Sequence, residues 1–190
     1  MGQPTTATTS DGVTIGQTPL VERERELETF DDLLSRGQSG PGLVLIEGPA
    51  GIGKTRLMDE LIRRAGQTGM RVLAGRGGHL ERDFPFGVVR QLFEPALVDA
   101  GERERLLAGA AAPAAPIFEA FVPAGPAAGD GSFAALHGLY WLAANIAEEG
   151  PLLLVVDDVH WCDPPSLRYL AYVARRLGGS GIVLALSLRT

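Results

Sequence analysis

The run Leu43-Val44-Leu45-Ile46 leads directly into Gly48-Pro49-Ala50-Gly51-Ile52-Gly53-Lys54-Thr55, and no other stretch of the chain constrains its fold as much. A short apolar run, a glycine-rich turn and then a helical pattern read as strand, tight loop and helix. The spacing Gly48-x-x-x-x-Gly53-Lys54-Thr55 is that of a phosphate-binding loop. Glycines at 48, 51 and 53 permit the backbone angles that turn successive N–H groups inward. Those amides, with the positive end of the following helix, suit the phosphates of a nucleoside triphosphate. Lys54 would bridge the β- and γ-phosphates, and the Thr55 hydroxyl would ligate Mg2+. Gly48 to Thr55, together with Arg56, are the candidate cofactor contacts. The bland alternative is a glycine-rich turn before an ordinary helix.

Composition sharpens the role of Lys54. Sixteen of the 17 basic residues are arginine, and Lys54 is the single lysine. A compact ammonium fits a nest of backbone amides where a forked guanidinium fits badly.

A second apolar run, Leu152-Leu153-Leu154-Val155-Val156, ends in Asp157-Asp158. In a parallel sheet this places a carboxylate beside the phosphate loop. Asp157 is the candidate Mg2+ ligand, through water. Asp158 points elsewhere and is the candidate to orient or deprotonate an attacking water. A solvated Asp-Asp turn is the alternative reading of the same pair. Residues 70–76 leave room for a strand between the loop strand and the acid strand, an arrangement that fits hydrolytic phosphate-loop proteins.

Hydrophobic spacing places helices over Leu20–Ser35, Lys54–Ala65, Gly87–Phe93, Ser132–Glu149 and Ser166–Leu177. Strands are expected at Leu43–Ile46, read as buried on both faces, and at Met70–Ala74, Leu152–Val156 and Ile182–Leu188. Gly75–Phe86 reads as a polar loop. Residues 109–131, rich in Ala, Pro and Gly, read as a long irregular loop. The expected fold is a phosphate-loop α/β domain, a mainly parallel sheet of about four strands flanked by helices. Residues 1–18 read as a flexible tail and 19–190 as the core.

Composition excludes several classes. The 190 residues, 45% of them apolar, suit one packed domain. A net charge of −6 argues against direct nucleic-acid binding. Cys162 is the single cysteine, so no internal disulfide forms. Neither a signal peptide nor an apolar run long enough for a bilayer is evident, so a cytoplasmic protein is expected.

With both motifs placed, the chain resembles the N-terminal ATPase domain of the large ATP-binding LuxR-family regulators. That domain is also described as an origin-recognition-complex-like AAA ATPase domain of the STAND type. The matching pieces are Leu20-Val21-Glu22-Arg23-Glu24, Gly48 to Thr55, Glu81-Arg82, and Phe86-Gly87-Val88-Val89-Arg90-Gln91-Leu92-Phe93. They continue with Leu136-His137-Gly138-Leu139-Tyr140-Trp141, Asp157-Asp158-Val159-His160-Trp161-Cys162-Asp163-Pro164-Pro165-Ser166-Leu167 and Leu188-Arg189. The resemblance implies ATP as the nucleotide, with Leu20, Val21 and Arg23 near the adenine. It implies that Arg189 senses the γ-phosphate, and a plain surface arginine is the other reading. It also implies a nucleotide switch in a signal-responsive transcriptional regulator, with slow or no hydrolysis, which associates with itself or with other regulator domains. Full members of that family are longer, adding a fifth strand beside the loop strand, a helical lid and a helix-turn-helix. The chain is therefore expected to be a truncated form whose loop strand has a bare, apolar edge. A fragment acting as an interaction module, without useful nucleotide binding, is the competing expectation.

Overall fold

The computed structural model of the protein describes residues 23–36, 42–79, 82–119 and 133–190. The expected tail, Leu20, Val21 and Ser132, the expected first residue of a helix, lie outside the described residues. Helix α1 (Glu24–Arg36) is followed by strand β1 (Gly42–Gly48), helix α2 (Lys54–Gln67) and strand β2 (Arg71–Arg76). Next come α3 (Gly87–Phe93) and α4 (Ala100–Leu106), then α5 (Phe133–Ala147), β3 (Leu152–Asp157), α6 (Pro164–Ala174) and β4 (Ile182–Arg189).

The four strands form one parallel sheet in the order β1-β4-β3-β2. Side chains alternate across it. Leu153, Val155, Val183 and Ala185 pack under α1 and α2, against Phe30, Leu57, Met58 and Leu61. Leu152, Leu154, Val156 and Leu184 face the other way, into a larger core with α3, α5 and α6. The expected mainly parallel, helix-flanked sheet is the observed one. β3 and β4 lie at its centre, and all six residues of β3 are buried.

Four expectations need correction. The strand that separates the loop strand from the acid strand is β4, while β2, the strand expected there, lies beyond β3 at the opposite edge. β1 is not buried on both faces: Leu43 and Leu45 are 51% and 50% exposed. It is an edge strand paired only with β4 among the described strands, so one of its faces lacks cover. The stretch expected to be irregular from residue 109 contains a 3-10 helix, Gly109–Phe118. Pro113 and Pro116 lie inside it. Proline's fixed φ is close to the 3-10 value, and two prolines three apart fall on one side of a three-residue turn. Finally α6 begins at Pro164, two residues before the expected start, because Asp163 caps it and proline is at home in a helix's first turn.

The segment between α3 and α5 packs closely. A Cβ on Gly138 of α5 would lie 2.7 Å from the Ala114 nitrogen, so only glycine lets the 3-10 helix rest there. Arg90 and Arg103 donate to the carbonyls of Ile117 and Phe118, at 3.0 and 3.1 Å, holding its C-terminal end. Among the described residues no helix is long and apolar enough to cross a membrane.

Candidate functional site

The C-terminal ends of β1, β4 and β3 converge on the glycine loop. Gly51 and Gly53 have φ of 80° and 94°, in the left-handed region where a side chain would be strained. Gly53 stands at the N-cap of α2 and brings no side chain to compete for its first amides. Those N–H groups have no acceptor within the helix and face the loop's concavity.

Lys54 is 8% exposed. Its Nζ donates to the carbonyls of Gly48 and Pro49, at 2.8 and 3.0 Å, and so lies over the loop. The Thr55 hydroxyl donates to Asp157 Oδ2 at 2.8 Å, joining residues 102 positions apart. Asp157 Oδ1 accepts from the Ser187 hydroxyl and from the Asp158 amide, the latter at 3.0 Å. Ser187 also accepts from the Asp158 amide, at 3.0 Å. Both oxygens of the Asp157 carboxylate are thus oriented, one toward the loop and one toward β4.

This donor set fits Mg2+. The ion is commonly held by one or two protein oxygens, with substrate phosphates and water completing an octahedron. Thr55 and Asp157 supply two hard oxygens beside the loop. Among the described residues no three His, Cys, Asp or Glu side chains gather into a metal site of their own. An all-protein cage for another metal is therefore not formed there.

Asp158 points away from this pair. Its backbone is left-handed, with φ 55°. Its Oδ2 accepts from Arg76 Nη2 and Nε, at 2.9 and 3.2 Å. Arg76 Nε also lies 3.8 Å from Asp157 Oδ2. The bond to Asp158, and then the charge of Asp157, raise the Arg76 pKa above its ordinary value. The Arg76 amide donates to Gln91 Oε1 at 2.9 Å, so α3 fixes the end of β2. Close behind, a Cβ on Gly77 would lie 2.4 Å from the Asp158 carbonyl oxygen, so the chain passes there only as glycine.

Arg23 reaches the loop from the start of α1, donating to the Ile52 carbonyl at 3.1 Å and pairing with Glu26 at 2.6 Å. Beside it a cavity of about 250 Å³ opens between α1, α2 and β1, lined in part by Phe30, Ile46, Ile52 and Lys54. Arg189 ends β4 in register with Gly48 and is exposed. Pro49, Ala50 and Arg56 are exposed around the loop. The structure thus gathers Lys54, Thr55, Asp157 and Asp158, with Arg23 at the loop's tip and Arg189 at its start.

The segment after β3 is built on Asp163, which is 2% exposed. Its Oδ1 accepts from the amides of Ser166 and Phe86, at 2.9 and 2.8 Å, and its Oδ2 from Val88 at 3.4 Å. One carboxylate therefore caps α6 and receives the start of α3. Ser166 adds a bond from the Val89 amide at 3.2 Å. Cys162 is 1% exposed. Burial, then the nearby carboxylates of Asp163 and Asp158, push its thiol up to about 12, as suits a packing residue. Trp161 packs between His160 and an edge-on His79.

The family described as AAA ATPase domain matches residues 19–184. The chain belongs to the AAA ATPase domain family. An uncharacterized protein of Rhizobium meliloti (strain 1021) is 30% identical over 197 residues, covering 90% of this chain. The chain spans 18% of that relative's length. Among solved structures, the Aeropyrum pernix ORC2 protein in its ADPNP-ADP complexes is similar in fold, with a TM-score of 0.52 and 17% identity. That match covers 89% of this chain and 41% of the other. A chain of the Drosophila ORC structure, solved bound to DNA, matches with a TM-score of 0.49 and 16% identity, over 90% of this chain and 37% of its own. The parallel, helix-flanked sheet agrees with that family membership.

Three residues of the site escaped sequence reasoning. Ser187 is a lone small polar residue in an apolar strand. Its signal was the break it makes in Leu184-Ala185-Leu186-Ser187-Leu188. Arg76 read as one charge in a polar loop, and only the parallel register Arg76↔Asp157 puts it beside the acids. Asp163 matched a motif but carried no assigned role.

Proposed function

We propose that the chain binds ATP with Mg2+ and acts as a nucleotide switch with slow or no hydrolysis, within a signal-responsive, cytoplasmic LuxR-type regulator of the STAND class. The observation that carries this reading is the 2.8 Å bond between Thr55 and Asp157 beside the glycine loop. It joins the two motifs in the way a Mg2+–phosphate group requires. In this reading Gly48 to Arg56 and Lys54 hold the phosphates, Thr55 and Asp157 hold the metal, and Arg23 borders the base with Leu20 and Val21. Arg189 is the γ-phosphate sensor. Bound Mg2+ would neutralise phosphate charge. Asp158 is the candidate for ordering water, and its pairing with Arg76 supports slow turnover, because the guanidinium occupies the oxygen that would have to meet that water.

Ligand that binds only the native state, at 100 times its Kd, adds about 2.7 kcal/mol of stability. In a domain of this size that is roughly a 5–10 °C rise in Tm. Thermal unfolding with ATP–Mg2+ should show such a rise, and Lys54→Ala should abolish it. An equal rise in Lys54→Ala would remove the loop from nucleotide binding.

The bare edge of β1 favours a second reading, an interaction module that does not use nucleotide. Under that reading millimolar ATP–Mg2+ leaves the melting curve of the unaltered chain in place.

A further inference from the structure

Helices α5 and α6 carry a surface that the nucleotide reading does not use. Phe133, His137, Tyr140 and Trp141 stand at i, i+4, i+7 and i+8 on α5, which makes one helical stripe. Arg168, Tyr172 and Arg176 make a second stripe on α6 and the turn after it, with Arg175 beside it. The stripes are joined at Tyr172. Its hydroxyl lies 3.0 Å from His137 Nδ1, and its ring centroid is 6.0 Å from that of Phe133. The Trp141 indole donates to His137 Nε2 at 2.9 Å. The Arg176 guanidinium lies 3.6 Å above the Tyr172 ring.

Two independent features of this surface point to a ligand. The first is exposed apolar area: Phe133 is 70% exposed, and Trp141 and Leu167 are each 38% exposed. Trp141, held by its bond to His137, and Phe133, stacked on His137, lose little further entropy when covered, which suits them as anchors. The second is charge. The chain as a whole carries −6, yet residues 133–147, 164–177 and the adjoining 109–118 contain no Asp or Glu. The same segments hold three arginines. An acidic chain has thus kept one face cationic and aromatic.

We propose that the α5–α6 face is a docking surface for an acidic segment of a partner protein, one that alternates carboxylates with leucine or aromatic side chains. Its carboxylates would pair with the arginines, and its apolar side chains would cover Phe133 and Trp141. Charge decides between this partner and a single-stranded nucleic acid, which also favours arginines beside aromatic rings. A long polyanion is repelled by the net negative charge of the chain. A short acidic segment interacts chiefly within a Debye length of about 8 Å, where the local charge is positive.

The test uses the full chain and a fluorescein-labelled peptide alternating Asp with Leu and Phe, followed by fluorescence anisotropy. Saturable binding that weakens with added salt is expected. Arg175→Glu should weaken it about tenfold, through like-charge repulsion. Phe133→Ser should weaken it by a similar factor while the melting temperature and its response to ATP–Mg2+ stay unchanged. The proposal is overturned if a peptide with Asn in place of Asp binds equally well, or if neither variant alters binding. Displacement of the peptide by a lower concentration of oligo-dT would assign the face to nucleic acid instead. Concentration-dependent self-association in sedimentation that Arg175→Glu abolishes would assign it to a second copy of the chain.

Discussion

Strands β1 and β3 are built from nearly the same residues, Leu-Val-Leu-Ile and Leu-Leu-Leu-Val-Val, yet they finish in opposite surroundings. Each delivers half of the candidate site from its C-terminal end: Gly48 opens the loop, and Asp157 supplies the carboxylate. β3 has a strand on either side and helices over both faces. β1 has one partner strand among those described, and its Leu43 and Leu45 are half exposed. The burial of an apolar strand is therefore decided by its place in the sheet order, and that order comes from contacts far apart in the chain. The carboxylate that must be aimed accurately rises from the over-determined strand. The loop, whose shape is set by its own glycines, rises from the edge.

Mutations sharpen this contrast. Leu154→Ala, at the fully buried centre of β3, should cost about 3 kcal/mol, read as a lower midpoint in urea. A loss below about 1 kcal/mol would show that β3 is packed as loosely as β1. Asp163→Ala, in the segment leaving β3, should cost about 2 kcal/mol, because it removes one helix cap and strands the Phe86 amide. Urea melts measure that as well, and a neutral result would mean that the two helices are held without it.

The β1 side should respond more weakly. Glu60, on the helix that follows β1, is held down to about 2 by hydrogen bonds and charge from Arg63 and Arg64. Its folded pKa lies below its unfolded one, so its contribution is present above about pH 4.5 and is lost as pH falls toward 2. The stability gap between the unaltered chain and Glu60→Gln should therefore close over that interval in acid titration, and a gap independent of pH would contradict the pairing. Smallest of all, Leu45→Lys should change stability by less than about 0.5 kcal/mol while reducing aggregation, measured by light scattering during heating. A loss as large as that of Leu154→Ala would mean that β1 is covered after all.

Much of this architecture was legible in the residues. The glycine loop is local: eight consecutive residues specify its shape, and Lys54 marks its purpose. β3 was legible because five consecutive apolar residues read as a buried strand, and the glycine loop elsewhere in the chain gave its terminal acid a use. Position across the sheet was legible only through the family resemblance, which implied a bare edge for the loop strand. β1 read as buried because its own composition matches a central strand. The 3-10 helix from Gly109 was missed because Pro113 and Pro116 look like interruptions until their three-residue spacing is set against a three-residue turn. Ser187 and Arg76 belong to the site only through register, Ser187 beside Asp157 from β4 and Arg76 opposite it from β2. Register is a property of pairs of strands, which no single segment carries.

The pairing of β1 with β4 also sets an order of events during synthesis. Gly42 to Gly48 align with Val183 to Arg189, so the first of the described strands is completed by the last of them. At 5–20 residues per second, roughly 7 to 28 seconds separate the two on the ribosome. Throughout that interval Leu43 and Leu45 have no strand to join, and the glycine loop has no rigid stem. The nascent chain is then most exposed to chaperones and to misassembly with its neighbours. On the proposed reading, the phosphate loop gains its stem only when β4 enters between β1 and β3.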